Sequence, residues 1–123
     1  MVFTDAERAY LESQRLGRIA TTSKAHEPDV APVGFRVDGD DIVVGGIDIT
    51  NTRKYHNVRA TGRASFVVDD LVSTDPWTPR LVKVTGRAEV EDEPGGRPVL
   101  RVHPETVWSF GLGGDGSGKR NVA

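Results

Sequence analysis

The residues best equipped for chemistry stand together in the stretch Ile49 to Val58, ITNTRKYHNV, with Arg59 just beyond it. Thr50, Thr52, Asn51 and Asn57 bring hydroxyls and amides, Arg53, Lys54 and Arg59 bring positive charge, and the preceding run DIVVGG ends in Gly45 and Gly46. A helix capped by Thr50 or Asn51 presents free backbone N–H groups and the positive end of its dipole, and cations in its first turn can converge on one anion. A phosphate is the natural guest. Thr52 adds a hydroxyl, Asn57 lies one turn further on, and the two glycines let a ligand come close to the backbone. The same residues also read as a solvated helix face with Tyr55 and Val58 packed inward, because the spacing is not that of a phosphate loop. On residue chemistry alone both readings stand.

Other constellations carry less. His26, His56 and His103 fall in loop, helix and strand without ligand spacing, so no metal is assigned. No G-x-S-x-G nucleophile turn occurs, which leaves hydrolysis unsupported. GLGGDGSGK, residues 111–119, has the glycines of a phosphate loop but opens no helix, and reads as tail. There is no cysteine, which removes disulfides, thiolate metal sites and cysteine nucleophiles together.

The elements that must position these groups follow from pattern. A chain of 123 residues is one domain, and a formal charge of −2 gives no sign of a nucleic-acid coat. The N-terminal stretch is charged early and carries no apolar run long enough for a signal peptide or a membrane span, which predicts a soluble, cytoplasmic protein. Thr4 with Glu7 forms a capping-box pattern, Ala6, Ala9, Tyr10 and Leu11 share a face, and Gly17 is the expected stop of this first helix. RIATTS and DVAPVGFRV are strand-like around the loop KAHEPD, and DGDD turns into DIVVGG. The second helix is expected to run to about Ala60. GRASFVVDD then places Ala64, Phe66 and Val68 on one side.

RLVKVTGRAEVE alternates Val82, Val84, Ala88 and Val90 against Lys83, Thr85, Arg87 and Glu89. DPWTP before it reads as a Pro-bounded loop able to frame a substrate pocket. The last strand, within VLRVHPETVWSFGL, should kink or bulge at Pro104, which lacks a donor. The expectation is a mainly β protein: a small antiparallel barrel over residues 1–112, with two short helices, followed by a mobile glycine-rich tail over 113–123. Such a barrel cannot enclose a large ligand within one chain.

GRIATTSKAHEPDVAPVGFRVDGDDIVVGG, followed by NTRKYHNV, RASFVVDD, VKVTGRAEV and VWSFGL, resembles the pyridoxamine 5'-phosphate oxidase-like split β-barrel family. Within it, the chain is similar to the small actinobacterial members that use the deazaflavin coenzyme F420 in place of FMN. The likeness runs from about Phe3 to Leu112. It implies a homodimer with two cofactor sites, each in a groove between subunits. Thr52, Arg53, Lys54 and Asn57 match the family segment that binds the cofactor's phosphate and ribityl chain. Ala20, Thr21 and Thr22, with Pro32, Val33 and Gly34, match positions lining the flat ring, and Trp77, Trp108 and Phe110 match aromatics turned toward the cofactor or substrate space across the dimer.

The resemblance implies an F420-dependent oxidoreductase, a reductase passing hydride from reduced deazaflavin to an electron-poor organic substrate. No catalytic side chain is assigned, since the hydride carrier does the chemistry. An FMN-binding oxidoreductase of the same family, or a non-catalytic carrier, would need the same phosphate grip. Arg36, Lys24 and Lys119 are the candidate cations for the deazaflavin's polyglutamyl tail. No nucleic-acid or membrane partner is expected.

Overall fold

The computed structural model describes residues 1–113 and 118–123. In chain order it contains helix α1 (Asp5–Ser13), strands β1 (Leu16–Thr22), β2 (Pro28–Asp38) and β3 (Asp41–Val44), a 3-10 turn (Ile49–Asn51), helix α2 (Arg53–Thr61), and strands β4 (Arg63–Thr74), β5 (Trp77–Asp92), β6 (Pro98–Phe110) and β7 (Gly118–Asn121). The capping box forms as the spacing predicts: Glu7 N–H donates to Thr4 Oγ1 at 3.1 Å and Thr4 N–H donates to Glu7 Oε1 at 3.0 Å. The helix stops at Ser13, ahead of Gly17, where Gln14 turns extended. Gly17 belongs to β1 and serves packing instead, since a Cβ there would lie 2.2 Å from the Phe66 ring. Tyr10 and Leu11 are buried as expected, whereas Ala9 faces solvent.

All strand pairs are antiparallel, in the order β3-β2-β1-β4-β5-β6-β7, and β3 also pairs with β6. That closing pair turns the sheet into a six-strand barrel with β7 added outside the ring. Strand β6 is long enough to serve β3 through Leu100–Val102 and β7 through Thr106–Ser109. Inside, Ile19, Phe66, Val68, Val82, Val84, Leu100, Val102 and Val107 form the core, with Phe35 edge-on to Phe66 at 5.0 Å. Core side chains of this size contribute about 1.5–3 kcal/mol each on burial.

The bulge expected at Pro104 is present. Gly86 pairs with Pro104 and Thr85 with Thr106, leaving Glu105 as the extra residue. Gly86 is required by that geometry, because a Cβ would lie 2.0 Å from the His103 carbonyl oxygen. DPWTP is the tip of the β4–β5 hairpin, not a free loop, and Trp77 starts β5 opposite Thr74.

The glycine-rich end departs from a mobile tail over part of its length. Gly118–Asn121 forms β7 on the open edge of β6, and Arg120 reaches back to Glu7 and to the Val2 carbonyl. Residues 114–117 lie outside the described residues.

Candidate functional site

Helix α2 begins two residues later than Thr50 predicts and one later than Asn51 predicts. Ile49 is buried, which ties Ile49–Asn51 into the 3-10 turn and passes the cap to Thr52. Thr52 Oγ1 accepts from Tyr55 N–H at 3.4 Å and donates to the Ile49 carbonyl at 2.5 Å. Gly62, with φ 70, closes the helix at the other end. Val58 and Asn57 face the barrel, and Asn57 Nδ2 donates to Thr21 Oγ1 at 3.0 Å. Both partners of that bond are buried, so Asn57 acts as a strut between α2 and β1.

Arg53 and Lys54 occupy the first turn, facing solvent and half-buried respectively. Among the described residues neither has a carboxylate partner. By contrast Arg18, Arg36, Arg63, Arg80, Arg87, Arg101 and Arg120 are each paired with an Asp or Glu. Arg59 lies 5.7 Å from the Tyr55 ring centroid and likewise holds no carboxylate. The positive end of α2 therefore keeps its charge free.

A cavity of about 630 Å³ runs along the outside of β2 and β3, lined by Gly34, Phe35, Arg36, Val43, Gly45 and Gly46, with Arg97 and Glu93 on its far wall. A second, of about 610 Å³, shares Gly46, Arg97 and Pro98 with it and continues along Ile47–Thr50, the chain that leads into α2. Arg53 and Lys54 line neither cavity; the turn that delivers them does. Arg36 is ion-paired with Glu93, while Arg97 has no carboxylate partner among the described residues. Arg97 was not distinguished in the sequence: PGGRP reads as a turn, and only the β3–β6 pairing brings it over this groove.

The remaining predicted positions lie elsewhere on the barrel. Ala20, Thr21 and Thr22 border a separate open cavity of about 430 Å³ with Val30, Arg63 and Ser65. Ala20 and Thr22 point outward; Thr21 is buried. On β2, Pro32 and Gly34 face out and Val33 faces into the core. Strand register sorts the outward side chains into rows. Pro32, Arg18, Val67, Lys83, Trp108 and Lys119 form one, and Val30, Ala20, Ser65, Thr85, Thr106 and Asn121 the next. Trp108 borders a fourth cavity with Lys83, Thr85, Thr106 and Lys119, and Thr85 is common to it and to the Ala20 cavity. Phe110 lies opposite Leu81, and Trp77 projects at the hairpin tip, 70% exposed.

The family pattern of pyridoxamine 5'-phosphate oxidase matches residues 3–110. The chain belongs to that family. A 5a,11a-dehydrotetracycline/5a,11a-dehydrooxytetracycline reductase of Streptomyces rimosus is 36% identical to it over 125 residues, spanning 94% of this chain and 87% of that protein. Among solved structures, a conserved hypothetical protein of Mycobacterium tuberculosis superposes with a TM-score of 0.74 at 22% identity, covering 91% of this chain and 87% of the other. A FAD-binding protein of Mesorhizobium loti gives 0.66 at 21% identity, covering 87% and 93%. These structural likenesses establish the split-barrel fold of the pyridoxamine 5'-phosphate oxidase family for this chain. Among the described residues, no helix is long and apolar enough to cross a membrane and no cluster of His, Asp and Glu is arranged to hold a metal ion.

Proposed function

We propose that this member of the pyridoxamine 5'-phosphate oxidase family is an F420-dependent reductase acting on an electron-poor carbon–carbon double bond. The observation that carries the reading is the unmatched positive charge on α2, beyond the turn that lines the end of a glycine-walled groove, in a protein that pairs most of its other arginines with carboxylates. The likeness to a reductase named for a dehydro substrate supports the direction of the reaction. When bound, F420 supplies a hydride from a ring carbon that reacts poorly with oxygen.

This chain's residues supply binding and exclusion of water. Arg53 and Lys54 would neutralise the phosphate, with Thr52 holding the helix start that aims them. Asn57 and Thr21 fix α2 against the barrel. Gly34, Gly45 and Gly46 leave the backbone open to a flat ring, and Arg97 would meet the anionic tail. Among the described residues the acidic side chains along the groove and its continuation are Glu93, held by Arg36, and Asp48, which accepts from Asn51, so the proton that completes reduction is assigned to solvent.

A second copy of the chain completes the site in this reading. Leu16, Val30, Leu71, Trp77 and Phe110 leave apolar side chains exposed on the outer strand faces and at the hairpin, surface that a second copy would cover. Covering it in a homodimer would bring Ala20, Thr22, Pro32 and the aromatics toward the partner's groove. The test is a titration with each cofactor at low and high salt, with light scattering on the same sample. F420 should bind more tightly than FMN and lose affinity more steeply with salt, because its longer anionic tail meets further cations. A monomer by light scattering would remove the shared groove, and tight FMN binding without F420 binding would hand the site to the FMN reading.

A further inference from the structure

We infer that the pocket around Trp108 seats the substrate, and that it selects planar organic anions. The inference rests on the reductase reading for the reaction and on separate observations for the ligand. Register places Lys83 and Lys119 directly on either side of Trp108, one on β5 and the other on β7. Lys83 Nζ lies 5.1 Å from the Trp108 ring centroid, the indole is 36% exposed, and Lys119, exposed like Lys83, lines the same cavity. Thr85 and Thr106 line the same cavity, of about 440 Å³. That volume suits a small fused-ring molecule, since ligand pockets span roughly 300–1,000 Å³.

The charge pattern decides the class. On the same outer face Arg18 holds Asp69, Arg63 holds Glu105 and Arg87 holds Glu89, whereas neither lysine of the Trp108 row has a carboxylate partner among the described residues. A neutral ring system stacked on Trp108 would leave both ammonium groups without a counter-charge. A cation would be repelled from both sides. A flat enolate, phenolate or carboxylate meets the indole with its face and the lysines with its oxygens, while the threonine hydroxyls serve any carbonyl. Strand β7 is essential to this pocket, because it alone brings Lys119.

The test uses the cofactor-free protein with Trp77→Phe, which leaves Trp108 as the sole indole, and reads its quenching by anthraquinone-2-sulfonate and by the neutral 2-(hydroxymethyl)anthraquinone. The sulfonate should bind about tenfold or more tightly than the neutral ring, and added salt should weaken it alone. Lys83→Ala with Lys119→Ala should bring the two ligands within about twofold of each other. The salt comparison requires no lysine substitution, so it decides even where that double variant fails to fold. Equal binding of both ligands to the parent protein would overturn the inference, as would a preference that survives loss of both lysines.

A parallel titration of F420, followed by its own absorbance, keeps the two claims apart. Sulfonate binding without F420 binding sinks the cofactor assignment and supports the pocket. F420 binding without any sulfonate preference does the opposite. Displacement of the sulfonate by F420 would give the pocket to the cofactor and overturn the inference.

Discussion

Replacing Arg53 and Lys54 together by alanine should weaken cofactor binding by about a hundredfold or more while leaving the fold intact. Hydrogen bonds to charged groups are worth about 1.5–3 kcal/mol each, and about 1.4 kcal/mol corresponds to tenfold in affinity. Lys54→Ala alone should cost about tenfold or more. The native protein gives up little in either variant, since Arg53 is exposed and neither side chain holds a carboxylate among the described residues. Surface changes of that kind usually stay within about 0.5 kcal/mol. An absorbance titration beside a thermal melt reads both quantities, and a double variant that binds cofactor normally would place the phosphate elsewhere.

The largest stability effect should come from Arg120→Ala. Glu7 is 1% exposed, and Arg120 donates to it at 2.7 Å while also donating to the Val2 carbonyl at 2.7 Å. Removing the guanidinium leaves a buried carboxylate without its counter-charge, a change that typically costs about 3–5 kcal/mol. A chain ending at Gly113 should lose a similar amount, because it lacks the same guanidinium.

The pH dependence gives a second signature. Burial by itself raises the Glu7 pKa, but hydrogen bonds from Arg120, from Ser109 and from the Thr4 N–H outweigh it and hold the carboxyl below its ordinary value of 4.5. A carboxyl with a depressed native pKa stabilises the fold above its unfolded pKa and loses that contribution as pH falls through the native value. Without Arg120 the depression shrinks, so the stability gap between parent and variant should narrow as pH drops below 4.5. Denaturant midpoints measured at neutral pH and in acid would show this, and a constant gap would mean that Arg120 acts by packing alone.

What the sequence revealed and what it hid divide by the range of the interaction that decides. The Thr4–Glu7 capping box and the alternation of Val82, Val84 and Ala88 are settled by neighbours, and both formed as read. Gly17 looked like a helix stop, but its reason is the Phe66 ring, far away in sequence. Thr50, Asn51 and Thr52 can all cap a helix, and the burial of Ile49 chooses among them. GKRN has no apolar alternation, so β7 could not be read. It exists because β6 offers an edge and Glu7 offers a partner to Arg120.

The candidate site shows the same division. Arg53 and Lys54 were visible as cations, but that neither meets a carboxylate among the described residues is a property of the folded chain. The row Lys83, Trp108, Lys119 depends on the register of separate strands beside the bulge at Gly86, which no local pattern encodes.

The claim that this protein is a deazaflavin reductase is tested most directly by following the absorbance of reduced F420 bound to it in air. The bound coenzyme should remain reduced until a conjugated, electron-poor alkene is added, and then reoxidise as the alkene is consumed. A protein that holds FMN firmly, consumes oxygen when that FMN is reduced, and leaves F420 unbound would contradict the account.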